Sequence, residues 1–106
     1  LDPKDPFKYE NRALARTASQ DMKGALTDYD KSIELEGNDS ETYNLRGVLK
    51  HTMQDYDGAI ADYSKAIDLD DTNPVYYDNR ALSKTEKENY AGNVLSARHG
   101  EVTDEQ

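Results

Sequence analysis

Apolar side chains in this chain recur at steps of three and four, and the stripes they form recur in turn. Ala25, Leu26, Tyr29, Ser32 and Ile33 make one stripe; Ala59, Ile60, Tyr63, Ala66 and Ile67 make its copy 34 residues later. Such steps place one apolar face on a helix. Tyr9, Tyr43 and Tyr77 keep the same offset, as do Arg12, Arg46 and Arg80, and Gly24, Gly58 and Gly92. Counting from Pro6, the chain divides into units at 6–39, 40–73 and 74–100, with a polar tail at 101–106. Residues 1–5 align with the last five positions of a unit and read as the remnant of an upstream repeat.

Each unit is expected to open with a helix, over about residues 6–19, 40–53 and 74–87. Pro6 and Pro74 suit a first turn, where the missing N–H costs nothing, and Ser40 reads as an N-cap. A polar pair then marks a turn: Gln20-Asp21, Gln54-Asp55 and Glu88-Asn89. A second helix follows. In the third unit it is expected to be short, over residues 90–99, because Asn93, Ala97 and Gly100 replace the Ala, Tyr and Ala of the second unit. Its polar residues make it a candidate cap for the array.

A 34-residue unit with this pattern resembles the tetratricopeptide repeat family. The resemblance rests on Tyr9, Ala13, Ala25, Tyr29 and Ser32 in the first unit, and on Tyr43, Gly47, Ala59, Tyr63 and Ala66 in the second. The third keeps Tyr77 and Ala81. In place of the family's Leu before the small residue stand Arg12, Arg46 and Arg80, and its closing Pro is Gly37 or Asp71. These departures resemble a bacterial-type variant with Tyr-x-x-Arg-Gly and Asp-Tyr-x-Gly-Ala-Ile motifs. The resemblance implies an all-α, right-handed α-solenoid of about three helix–turn–helix repeats, about six helices in all.

Arg12, Arg46 and Arg80 each lie one helical turn from Arg16, Lys50 or Lys84, and like charges at that spacing repel. Carboxylates are therefore expected beside them. Asp28 and Asp62, at matching places on the second helices, are the expected acceptors.

Charge and composition narrow the function. A net charge of −9 disfavours nucleic acid and anionic membrane, since both require a basic face. No apolar run is long enough to span a bilayer, so membrane insertion is not expected. Without Cys there is no disulfide, thiolate nucleophile or Cys metal site; this slightly favours a cytoplasmic setting and leaves localisation open. His51 and His99 are the only histidines, and neither has a nucleophile to serve. No cofactor, metal or catalytic residue is expected, and the chain does not read as an enzyme.

By resemblance, the first helix of each unit lines a concave groove. The implied lining is Phe7, Glu10, Asn11, Leu14, Thr17 and Ala18 in the first unit and Glu41, Asn44, Leu45, Val48, His51 and Thr52 in the second. The third contributes Val75, Asp78, Asn79, Leu82, Thr85 and Glu86. Leu14, Val48 and Leu82 form an apolar spine flanked by amides that can both donate to and accept from a peptide backbone. Glu10, Glu41, Asp78 and Glu86 favour a basic ligand. Some family members clamp a terminal carboxylate with Lys, Asn and Arg; Glu10, Leu14, Leu45, Val75 and Asn79 stand at those positions, so that clamp is not expected. The expected function is non-catalytic protein–protein interaction, with an extended peptide or partner segment held on the concave face. The alternative is self-assembly through exposed repeat ends, giving a homo-oligomer.

Overall fold

A computed structural model describes residues 3–104 of the chain, and side chains over residues 3–92. Five helices follow in order: α1 (Pro6–Ala18), α2 (Met22–Leu35), α3 (Ser40–Thr52), α4 (Tyr56–Leu69) and α5 (Pro74–Asp104). Among the described residues there is no strand, and the architecture is an all-α solenoid of repeats.

Asp residues start the first four helices. Asp5, Asp21, Asp39 and Asp55 accept from the backbone N–H of Phe7, Gly24, Glu41 and Gly58, each at 3.0 Å. A carboxylate there satisfies an otherwise orphan donor and meets the positive end of the helix dipole. Ser40 is thus the first helical residue of α3 and not its cap; its hydroxyl instead meets the Tyr76 hydroxyl at 3.0 Å. The caps also explain Gly24 and Gly58. A Cβ at either would strike the carboxylate of Asp21 or Asp55.

The turns inside the first two units are alike. Gln20 and Gln54 take left-handed backbone angles, φ 67° and 66°. The next residues, Asp21 and Asp55, donate back to the carbonyls of Arg16 and Lys50 at 2.8 Å, closing each helix as a Schellman motif. One Asp therefore ends one helix and caps the next, so the turn is short and the two helices lie antiparallel.

Small residues and Tyr rings fill the seam between paired helices. Ala13, Ala25, Ala59 and Ala66 are fully buried, and Tyr29 and Tyr63 are 2% exposed. Each such ring contributes roughly 2 kcal/mol or more by leaving water. Ala13, Ala25 and Tyr29 join Leu49 in one cluster, with Met22, Leu26 and Leu45 packed against it. The Tyr63 ring presses on the α3 backbone so closely that a Cβ on Gly47 would lie 2.6 Å from its Cε1.

Beside this seam lies a buried carboxylate in each of the first two units. Asp28 accepts two hydrogen bonds from Arg12, at 2.9 and 2.8 Å, and one from Arg16 at 3.0 Å. Asp62 accepts two from Arg46 at the same distances and pairs with Lys50 at 3.2 Å. Each Arg also stacks over the Tyr three residues before it, at 5.6–5.7 Å. Arg46 reaches back to Asp30 of the preceding unit at 2.9 Å, tying α3 to α2.

The third unit departs from expectation. No turn forms at Glu88-Asn89, and α5 continues as one helix. A left-handed non-Gly residue costs about 1 kcal/mol, which packing of the second helix onto the first must offset. With Asn93, Ala97 and Gly100 at the packing positions, that gain is missing, and Glu88 is a good helix former. Consequently Tyr77 is 40% exposed and Ala81 is exposed, although both stand at structural positions of the repeat. Gly92 meets nothing within 4 Å, because no capping carboxylate lies beside it. The side chains of the expected cap residues from Asn93 onward lie outside those described.

Replacing Asp62 by Ala leaves Lys50 without its acceptor and Arg46 with Asp30 alone, and should cost about 3 kcal/mol in urea denaturation. Asp28→Ala should cost less, because Arg12 is 41% exposed where Arg46 is 17% exposed. The Arg12 hydrogen bonds hold the Asp28 carboxyl below its usual range. Its contribution is therefore present above about pH 4 and is lost as pH falls through the depressed value; Asp28→Asn should flatten stability in that acid window. Gly47→Ala must displace Tyr63 and should cost about 1–3 kcal/mol in the same assay.

Candidate binding surface

Stacking of first helices α1, α3 and α5 exposes some positions and buries others. The third and tenth positions of a unit face the preceding unit. Thr42 and Tyr76 at the third, and Leu49 and Ser83 at the tenth, are all at most 2% exposed. The equivalents in α1, Lys8 and Ala15, are exposed. These interior residues were not singled out from the sequence. The signal lay in the columns: Lys8 becomes Thr42 and then Tyr76, while Ala15 becomes Leu49.

The second and ninth positions are exposed on all three helices. Phe7 is 60% exposed, Leu14 44%, Val48 43%, Val75 50% and Leu82 52%. Large apolar side chains thus hold the ninth position of all three first helices and the second position of α1 and α5, where α3 carries Glu41, forming an exposed apolar row.

Acidic residues accompany that row. Glu10 is half-buried, and burial, followed by the nearby carboxylates of Asp39 and Glu41, holds its carboxyl above the usual range, against a Thr42 hydrogen bond. Asp78 is exposed and Glu86 is half-buried. Glu41 is exposed and accepts from the Tyr76 hydroxyl at 3.2 Å.

Several residues assigned to the groove are engaged within the fold. Asn44 is 6% exposed and accepts from Asn79 Nδ2 at 2.9 Å, joining α3 to α5. His51 Nδ1 meets Ser83 Oγ at 2.7 Å, and its ring lies edge-on to Tyr56. Leu45 packs against the core cluster. Thr17 and Thr52 bond to carbonyls one turn back in their own helices. Asn11, Ala18 and Thr85 are exposed. The amides thus do not form one open row: Asn44 and Asn79 serve each other, and Asn11 stands apart.

Among the described residues, no group of three or more His, Cys, Asp or Glu is placed to hold a metal, and no helix is long and apolar enough to cross a membrane. The surface offers apolar contact, carboxylates and a few amides.

Residues 40–73 match the sequence model of the family described as tetratricopeptide repeat. No curated protein sequence gives a significant match. Among solved structures, that of MamA shares 22% identity with a TM-score of 0.80; the similarity covers 83% of this chain and 52% of MamA. The chain therefore spans about half the length of that relative. The first tetratricopeptide domain of Spaghetti (RPAP3), bound to the HSP90 peptide SRMEEVD, shares 22% identity at a TM-score of 0.78, covering 82% of this chain and 69% of the other. The Sgt2 tetratricopeptide domain from Aspergillus fumigatus shares 24% at 0.76, covering 84% and 60%. The second unit, residues 40–73, thus matches the tetratricopeptide repeat in sequence, and the chain shares the fold of tetratricopeptide domains over most of its length.

Proposed function

We propose that this chain is a non-catalytic interaction module of the tetratricopeptide kind, holding an extended peptide along the concave face made by α1, α3 and α5. The observation that carries the reading is the exposed row of Phe7, Leu14, Val48, Val75 and Leu82, whose ninth-position members Leu14, Val48 and Leu82 recur on all three first helices. Scattered apolar residues on a surface need no explanation, but a row with a structural period is a binding feature. The peptide bound to the Spaghetti domain supports the class of ligand.

Charge refines the ligand. Glu10, Asp78 and Glu86 flank the row with carboxylates, and Glu10 sits among Asp39 and Glu41. An acidic segment such as SRMEEVD would meet repulsion here; a segment with basic and small apolar residues would not. A bound cation would relieve the crowding around Glu10. Asn11 and Asn79 Oδ1 remain the polar contacts for the peptide backbone.

Fluorescence anisotropy with labelled extended peptides, Lys/Ala/Leu-rich against Glu/Ala/Leu-rich, tests the reading. The basic peptide should bind more tightly, and the triple variant Glu10→Gln, Asp78→Asn, Glu86→Gln should weaken it severalfold and flatten its salt dependence. Equal affinity for both peptides, or no effect of the triple variant, would remove the basic preference. Binding unaffected by Leu14→Ser and Leu82→Ser would remove the surface itself.

Glu10 also gives a pH signature. Because its folded carboxyl titrates above the unfolded one, it favours the folded state below the unfolded value and loses that contribution as pH rises through the folded value. Glu10→Gln should therefore make the free protein more stable at neutral pH while weakening the basic peptide. Basic-peptide affinity in the parent protein should fall as pH drops and Glu10 protonates; a flat profile would contradict its role.

A further inference from the structure

One column of the repeat is complete twice and left open once. On α1, the face carrying Tyr9, Arg12 and Ala13 is covered by α2; on α3, the matching face of Tyr43, Arg46 and Gly47 is covered by α4. On α5 the same face has no covering helix among the described residues. Tyr77 is 40% exposed, and Ala81 is exposed where Ala13 is fully buried.

Arg80 shows what is missing. It stacks over Tyr77 at 5.6 Å as its equivalents do, but among the described residues its one hydrogen bond is to Ser64 Oγ at 3.2 Å. Arg46, by contrast, binds Asp62 through both arms of its guanidinium and Asp30 besides. Both carboxylate positions are hydroxyls for Arg80: Ser64, on α4 of the second unit, stands in register with Asp30, and Ser96 of the third unit with Asp28 and Asp62. Among the described residues Arg80 is paired with no carboxylate. A guanidinium fork is suited to bidentate carboxylate capture, and this one lies over an exposed ring beside an exposed small residue.

The chain also displays twice what fits such a face. In α2 and α4 the covering residues are Ala, Asp, Tyr and a small residue at a fixed spacing: Ala25, Asp28, Tyr29, Ser32 and Ala59, Asp62, Tyr63, Ala66. The Asp enters the Arg fork and the ring seats on the small residue below it.

We propose that this open face of α5 docks, in trans, an amphipathic helix of another protein bearing Ala-x-x-Asp-Tyr-x-x-Ala or a close equivalent. The partner's Asp meets Arg80 and its Tyr covers Ala81. A second copy of this chain does not supply that helix. Its α2 and α4 are spent on their own units, and the stretch in register places Ser96 and Ala97 where Asp and Tyr are required. The surface is separate from the exposed row of the peptide site, since it uses the fourth, seventh and eighth positions of the unit and not the second and ninth.

The probe is a fluorescein-labelled peptide with the sequence of residues 55–69, titrated by anisotropy against the full chain. It should bind, and Arg80→Gln should weaken binding about tenfold or more, as loss of a charged hydrogen-bonded pair does. A peptide carrying Asp62→Asn should lose affinity to a similar degree, and combining it with Arg80→Gln should add little further loss. Ala81→Glu, at an exposed position, should block the ring's seat, with far-ultraviolet circular dichroism confirming that each variant folds. Absence of binding up to millimolar peptide overturns the proposal, as does binding unchanged by Arg80→Gln and Ala81→Glu. Concentration-dependent dimerisation in sedimentation equilibrium that Ala81→Glu abolishes also overturns it, by assigning the face to a second copy.

Discussion

One buried carboxylate in each of the first two units governs how this chain is built. Asp28 is 1% exposed and Asp62 4%, and each is surrounded by two cations from the preceding helix. Burying a carboxylate costs several kcal/mol unless its lone pairs are satisfied, and bidentate Arg satisfies them in one geometry only. The pair therefore fixes the rotation and axial register of the second helix against the first. Once register is set, Tyr29 and Tyr63 find their small partners and the capped turns close. The Arg46–Asp30 bond carries the same chemistry between units, so one Arg locks its own unit and the one before it.

Much of this was legible as columns of residues. Arg12 and Arg46 one turn from Arg16 and Lys50 demanded carboxylates, and only the second helices offered them at matching places. The seam of Ala13, Ala25, Tyr29, Gly47, Ala59 and Tyr63 followed from size, because small residues opposite rings are what closely packed helices require. The contacts between units were harder to read. Asn44 with Asn79 and His51 with Ser83 join residues that are not equivalent, and a comparison of equivalent positions cannot pair them. The cap of α3 was misplaced by one residue because Asp39 and Ser40 are both good caps; the charged one wins at a helix N-terminus.

The third unit shows what happens when the governing contact is removed. Glu88, Asn89 and Gly92 keep a turn-like sequence, yet the helix runs on, because a turn needs packing beyond it to offset its backbone cost. Local signals for a turn were present; the long-range gain was not. The same loss frees Arg80, Tyr77 and Ala81 at the surface. Two surfaces with different chemistry result. One is a periodic apolar row edged with carboxylates, and the other is a single guanidinium over a ring.

The first of these surfaces carries the proposed function. Its most direct test is a two-dimensional amide NMR titration of the isotopically labelled chain with an extended Lys/Ala/Leu-rich peptide. Shifts concentrated at residues 7, 10, 14, 48, 75, 78 and 82, with the outward sides of α2 and α4 unmoved, are the predicted result. Shifts confined to α2 and α4, or none at millimolar peptide, would contradict it.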